Sequence, residues 1–272
     1  MKEVSQASAI PLTPSGEQDE LLAVREFWNN HIHDWKVARS EPGTAEFFAE
    51  IEAYRFEKLH YLPRLVDFNA YAGKRLLEVG CGVANDLSRF AKGGAEIIGI
   101  DLAEHSIDLA RDNFAQRGLQ GEFFVMDGEN LDFPDDSFDV VYCHTVLHFT
   151  PYPKEMVKEI GRVLRPGGDA ILMTVNRRSW LNALHRLMNV EIDHLDAPVF
   201  HQYTIKEFRQ LLSSVFDKVD IIPERFPVRT KVHEGMKARL YNMLFVDLFN
   251  ILPQRWIRNS GHHLMAFAKN AD

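Results

Sequence analysis

Cysteine is nearly absent, with only Cys81 and Cys143 in 272 residues. That excludes a disulfide framework and a cysteine-rich metal site, and it fits a reducing, cytoplasmic setting. Excess positive charge is lacking too. The formal charge is −8, so no general field draws phosphate backbones, and nucleic acid is not an expected partner. No apolar run reaches the roughly 18 residues of a spanning helix, so stable membrane insertion is not expected. The first twenty residues, MKEVSQASAIPLTPSGEQDE, have neither a basic start nor a long apolar stretch. They match neither a secretory leader nor an anchor and read as a flexible tail, 1–20. What is present is ordinary globular material, 46% hydrophobic and 26% charged, long enough for one substantial core with extensions.

Residues 21–71 are helical in tone, with LLAVREFWNNHIHDWKVA and TAEFFAEIEAYRFEKLHYLPRLVDF parted by the breaker SEPG. Trp28, Trp35, Phe47, Phe48, Tyr54 and Phe56 make the segment aromatic, as core packing or as a lid over a ligand. From residue 72 the pattern changes. RLLEV, EIIGI, EFFVM, FDVVYC and DAILMTV are short runs too apolar to have a wet face, and helical spacings separate them. Such alternation predicts an α/β fold, a doubly wound, Rossmann-like, mostly parallel sheet. Thr204 and Glu207 form a capping box that opens a later helix, followed by the strands KVDIIPE and HHLMAFAK, which bring the sheet to seven. Two stretches fit no strand, near 177–202 and 226–261, and read as helical cap insertions.

The turn LLEVGCGVAND, residues 76–86, poses the functional question. A phosphate-gripping loop needs a Lys-Ser/Thr pair after its second glycine, and none follows Gly82. A dinucleotide turn wants a small residue where Asn85 stands, which weakens that reading without removing it. Ligands of open α/β sheets sit beyond the carboxyl ends of the strands, and those ends carry Glu78, Gly80 and Gly82, then Asp101, then Asp127 and Gly128. Asp101, about twenty residues past the glycines, suits both hydroxyls of a ribose. Asp127 and the Gly128 amide suit the edge of an adenine. Glu78 can face an ammonium group, while amides at the turn and helix start suit a carboxylate. Phosphate-free adenosine with an amino-acid tail is S-adenosylmethionine.

At this point LLEVGCGVAND, GIDLAEHSIDLAR, VMDGENLDFPDDSFDVVYCHTVLHF and RVLRPGG jointly resemble the class I S-adenosylmethionine-dependent methyltransferases, in the small-molecule group that includes quinone-biosynthesis enzymes. The resemblance covers residues 74–176. It implies a site for S-adenosyl-L-methionine built from Glu78, Gly80, Gly82, Asp101, Leu102, Asp127, Gly128 and the backbone near His144. Ala84 stands where the family usually has a third glycine, and crowding is expected there. Arg165-Pro166-Gly167-Gly168 is expected to make the turn into the fifth strand.

Methyl transfer from a sulfonium is an in-line displacement, and positioning can supply about 7 to 11 kcal/mol of its acceleration. A base matters only where the nucleophile must lose a proton. His148, expected at the pocket rim, is the nominated catalytic residue, with His201 and His144 as alternates. His144 and His148 would share one face of a helix, but no third ligand has suitable spacing, so no metal is expected. His31 and His33 are assigned nothing. The apolar helix MKARLYNMLFVDLFNIL reads as a cap over an apolar acceptor, a homodimer interface or a membrane-touching surface, with the cap preferred. The expected partner is a small acceptor. An RNA or protein methyltransferase of the same fold and a non-catalytic binding scaffold are the alternatives.

Overall fold

Each central strand is apolar on both sides because both sides are covered. The computed structural model describes residues 15–188, 192, 194–227 and 245–271. Outside the described residues lie most of the expected tail and 228–244, with Met236, Leu240, Met243 and Leu244 of the expected cap helix and the nearby Arg229, Lys231, Lys237 and Arg239. The strands are β1 (Arg75–Val79), β2 (Glu96–Asp101), β3 (Glu122–Val125), β4 (Phe138–Cys143), β5 (Leu164–Val175), β6 (Lys218–Glu224) and β7 (His263–Lys269). They form one seven-stranded sheet in the order β3-β2-β1-β4-β5-β7-β6. Pairings are parallel from β3 through β5, whereas β7 runs antiparallel to both β5 and β6.

Helices flank the sheet: α1 (Ser15–Asn30), α2 (Ala45–Lys58), α3 (Leu62–Leu65), α4 (Asn85–Lys92), α5 (Glu104–Arg117), α6 (Pro153–Val163), α7 (Trp180–Met188), α8 (Ile205–Leu212), α9 (Asp247–Ile251) and α10 (Gln254–Ile257). Because successive strand residues point to opposite faces, neighbours such as Leu76 and Leu77 serve different cores. Leu77, Ile98, Val141 and Leu172 pack with Val157 and Ile160 of α6 and Phe208 of α8. Leu76, Ile97, Val140 and Ile171 pack with Phe90 of α4, Phe114 of α5 and Leu62 of α3. Each such fully buried side chain contributes about 1.5–3 kcal/mol. A third, smaller cluster sets Phe47, Phe48 and Ile51 of α2 against Leu109 of α5 and Val83.

Three local details refine the sequence reading. Helix α1 begins at Ser15, within the stretch read as tail. Strand β5 starts at Leu164, and Arg165–Gly168, expected as the turn into it, instead forms an irregularity within it between the Phe138↔Leu164 and Val140↔Asp169 pairs. Gly167 has φ +70°, which is why a glycine stands there. The Thr204/Glu207 capping box is formed in both directions.

Winding reverses between β1 and β4, where the sheet splits beyond the strand tips. That crevice is where an open α/β sheet holds its ligand.

Candidate functional site

The chain leaves β1 through a turn with three residues at positive φ, namely Gly80 (+71°), Gly82 (+52°) and Ala84 (+59°). A Cβ on Gly80 would stand 2.2 Å from Val146 Cγ2, so the approach of the loop after β4 requires glycine. On Gly82 it would project into open space. Ala84 accepts the left-handed conformation at a cost of about 1–2 kcal/mol, which is the physical form of the expected crowding. The Gly80 and Cys81 amides both donate to Ile100 O, at 2.8 and 2.9 Å, and the Gly82 amide donates to Asp101 Oδ2 at 2.9 Å. These three amides are taken by β2, so of the turn and helix-start amides expected to suit a ligand carboxylate, those at the helix start remain.

A cavity of about 150 Å³ opens above the turn. Glu78, Gly80, Gly82, Asp101, Leu102, Asp127, Gly128 and His144 all lie on its wall. Gly128 is packed so closely that a Cβ would meet Val79 Cγ1 at 2.7 Å and Met156 Cε at 2.8 Å. Helices α1 and α2 add Val24, Trp28, Ile51 and Arg55 from the far side.

The electrostatics are set by burial. Glu78 is 3% exposed, its Oε2 has no hydrogen-bond partner, and burial followed by the nearby Asp86 carboxylate pushes its carboxyl well above the usual range. Asn85 Oδ1, also on this wall, is likewise buried without a partner. Asp101 is raised by burial, partly offset by the amides of Ala103 and Gly82, which it accepts at 2.9 Å each. It therefore braces the start of α5, where neither Glu104 nor Ser106 supplies a cap. Asp127 is raised by burial and accepts from the Glu129 amide at 2.9 Å. Burial raises both thiols, Cys81 and Cys143, so neither is an activated thiolate.

Sequence reasoning missed the polar strut beside this cavity. Arg55 of α2 grips Asp86 of α4 in a bidentate pair, with Nε to Oδ1 at 2.7 Å and Nη2 to Oδ2 at 2.5 Å. Burial pushes the Asp86 carboxyl up, but the Arg55 charge and hydrogen bond outweigh it and hold it low. Tyr142 OH donates to the same carboxylate at 2.8 Å. Arg55 Nη2 also stands 3.3 Å from His144 Nδ1, and Tyr61 OH lies between His144 Nε2, at 3.3 Å, and His263 Nδ1, at 2.6 Å. Burial, then the Arg55 charge, keep His144 well below the usual histidine range. The cue in sequence was Asp86, an acid in an apolar turn that needed a cation from elsewhere.

A second, smaller cavity of about 30 Å³ adjoins the first, and His33, Asp34, Arg55, Thr145 and Phe149 line both. Its wall also takes Ile192 and Phe200 from the first insertion, Arg225 beside the second, and Val175, His262 and His263. His148 belongs here. Residues 144–150 form turns rather than a helix, and the ring is buried in the wall of this cavity instead of standing at a rim. Its Nδ1 has no partner, and burial pushes it down to about 3. His201 lines neither cavity, though its amide donates to His148 O at 2.7 Å. The two insertions meet where Trp180 packs on Phe245, with ring centroids 5.7 Å apart. Among the described residues, no helix is long and apolar enough to cross a membrane.

Comparison with known proteins follows the same geography. Residues 77–172 match a family described as a methyltransferase domain. A ubiquinone biosynthesis O-methyltransferase of Hahella chejuensis is 32% identical over 176 residues, spanning 62% of this chain and 68% of that protein. One from Idiomarina loihiensis is 40% identical over 112 residues, 40% of this chain, and the match spans a little under half of that protein, 46%. In structure, a SAM-dependent methyltransferase from Aquifex aeolicus superimposes with a TM-score of 0.55 at 16% identity, covering 86% of this chain and 100% of that one, which is a likeness of fold.

Proposed function

The chain belongs to the class I S-adenosylmethionine-dependent small-molecule methyltransferases, and on that premise we propose that it methylates a hydroxyl of a small aromatic or enolic acceptor. The donor would occupy the larger cavity, and the acceptor would enter beside it on the side of the smaller, which at about 30 Å³ must open with the lid to admit a ring. The observation that carries the reading is the pair of buried oxygens without a donor, Glu78 Oε2 and Asn85 Oδ1, on two residues of this cavity's wall. Buried acceptors left unpaired cost about 1–3 kcal/mol each, and an ammonium group with three N–H bonds answers both.

The rest of the wall fits the same ligand. Asp101 already accepts the Gly82 and Ala103 amides, one on each oxygen, and the Leu102 amide acts on it too; of about four lone-pair sites on a carboxylate this leaves room for a ribose hydroxyl. Leu102, Met126 and Met156 give a flat base apolar walls, with Asp127 at its edge. With the turn amides spent, a tail carboxylate falls to the start of α4. S-adenosylmethionine supplies a methyl group already activated on a sulfonium. The protein's part is to align the acceptor oxygen with it and keep water out, and α1, α2 and the insertions act as the lid. Phe149 and Phe200 beside the smaller cavity suit an aromatic acceptor. The name shared by the curated relatives favours oxygen as the methylated atom. A cytoplasmic setting belongs to this reading, since both thiols are free and buried.

The test is calorimetry with S-adenosylhomocysteine, then an assay of its release across phenols, quinols, amines and thiols. Asp101→Ala should weaken binding by about 1.5–3 kcal/mol, the range for a hydrogen bond to a charged group. Failure of the wild type to bind S-adenosylhomocysteine would sink the reading.

A further inference from the structure

We propose that His33 is the general base of this transfer, taking the acceptor's hydroxyl proton where the two cavities share a wall. The inference rests on the methyl-transfer reading above. A methyl group held in one cavity can reach an acceptor in the other only through their common wall. Five described residues form that wall. Thr145 and Phe149 offer no basic lone pair, and Arg55 is a cation bound to Asp86. Asp34 is bound by Lys58 Nζ at 2.9 Å and is held down to about 2, the pull of His33 and Lys58 outweighing its burial. His33 remains.

Its surroundings suit the task. Asp34 sits in a left-handed backbone conformation, φ +63°, which costs strain and brings its Oδ1 within 3.8 Å of His33 Nε2. Burial, with Lys58, His194 and Arg55, pushes His33 down to about 4 against the opposing pull of Asp34, so the ring is neutral at neutral pH and acts as a weak base that shares the proton only as the new bond forms. As an imidazolium forms, the Asp34 carboxylate stabilises it. The His33 side chain keeps 29% of its surface accessible, whereas His148 is 2% exposed and no carboxylate acts on it. His144 lines only the larger cavity and His263 only the smaller.

The step balances. The acceptor O–H bond breaks and its proton passes to a ring nitrogen of His33. The electron pair left on oxygen forms the new O–CH₃ bond, and the C–S bond breaks with its pair retained by sulfur. One positive charge thus moves from sulfur to imidazole, and the imidazolium then returns its proton to solvent.

His33→Asn keeps a polar side chain but cannot take the proton, and His33→Gln serves if that variant fails to fold. With phenol acceptors kcat should fall by about 10² to 10⁴-fold, while KM and S-adenosylhomocysteine affinity hold. The deficit should shrink with 4-nitrophenol, which ionises unaided; a merely structural residue would give the same loss with both. An equal loss across phenols of different acidity, a matching loss of S-adenosylhomocysteine affinity, or methylation of amines or thiols alone overturns the proposal. Failure to bind S-adenosylhomocysteine at all would instead reject the underlying reading.

Discussion

Replacing Glu78 by glutamine should make the free protein more stable and its cofactor complex weaker. In the fold this carboxyl is raised by burial and by Asp86, with only partial relief from Arg55. A carboxyl raised in the native state holds its proton where the unfolded chain has lost it, so the native state binds more protons and stability falls as pH rises. The loss begins near the unfolded value of 4.5 and accrues at up to about 1.36 kcal/mol per pH unit. Over the span from there to pH 7 the cost is at most about 3 kcal/mol. Glutamine does not titrate and so escapes that cost. Urea melts at several pH values should show the two proteins nearly equal at pH 4 and Glu78→Gln increasingly the more stable toward pH 7. Calorimetry should show its affinity for S-adenosylhomocysteine reduced by about 1.5–3 kcal/mol, the worth of a charged hydrogen bond. A variant less stable than wild type at pH 7, or a stability difference that ignores pH, would refute the reasoning.

Two further perturbations isolate single features. Arg55→Met leaves Asp86 as an uncompensated buried charge and should cost about 3–5 kcal/mol in urea unfolding, while Arg55→Met with Asp86→Leu should recover most of that loss; a double variant as unstable as the single would count against the pair being the cause. Gly80→Ala meets both the left-handed φ and the Val146 methyl at 2.2 Å, so thermal melts should show a loss of about 2 to 5 kcal/mol. Gly82→Ala, with open space for its Cβ, should show only the backbone part, and equal losses at the two sites would contradict the packing argument.

The fold was legible where the cause is local. Strands such as RLLEV and FDVVYC are apolar at consecutive positions because both faces of the sheet are covered, and the acids at their tips fall within short motifs. Glu78, Asp101 and Asp127 could therefore be picked out one strand at a time. The strut was not legible, since Arg55 and Asp86 lie 31 residues apart and meet only because α2 lies across the start of α4. His31 and His33 would diverge on a helix, so the sequence assigns them nothing. In the structure α1 ends at Asn30, and both residues follow it into irregular chain along the larger cavity. Asp101 also does more than the sequence suggested: its oxygens tie the glycine turn to the start of α5, a link visible only once β1 and β2 are side by side.

The placement of β7 bears on how the chain assembles. This strand is synthesised after both of its neighbours, yet it must slide between them, pairing Asp169 through Val175 on one side and Lys218 through Glu224 on the other. Until it arrives, β5 and β6 present raw edges to any other chain nearby, the condition under which nascent proteins stick to one another. Closure of the sheet therefore waits on its final segment, and a chain cut short before His263 would keep two adhesive borders in place of a wall.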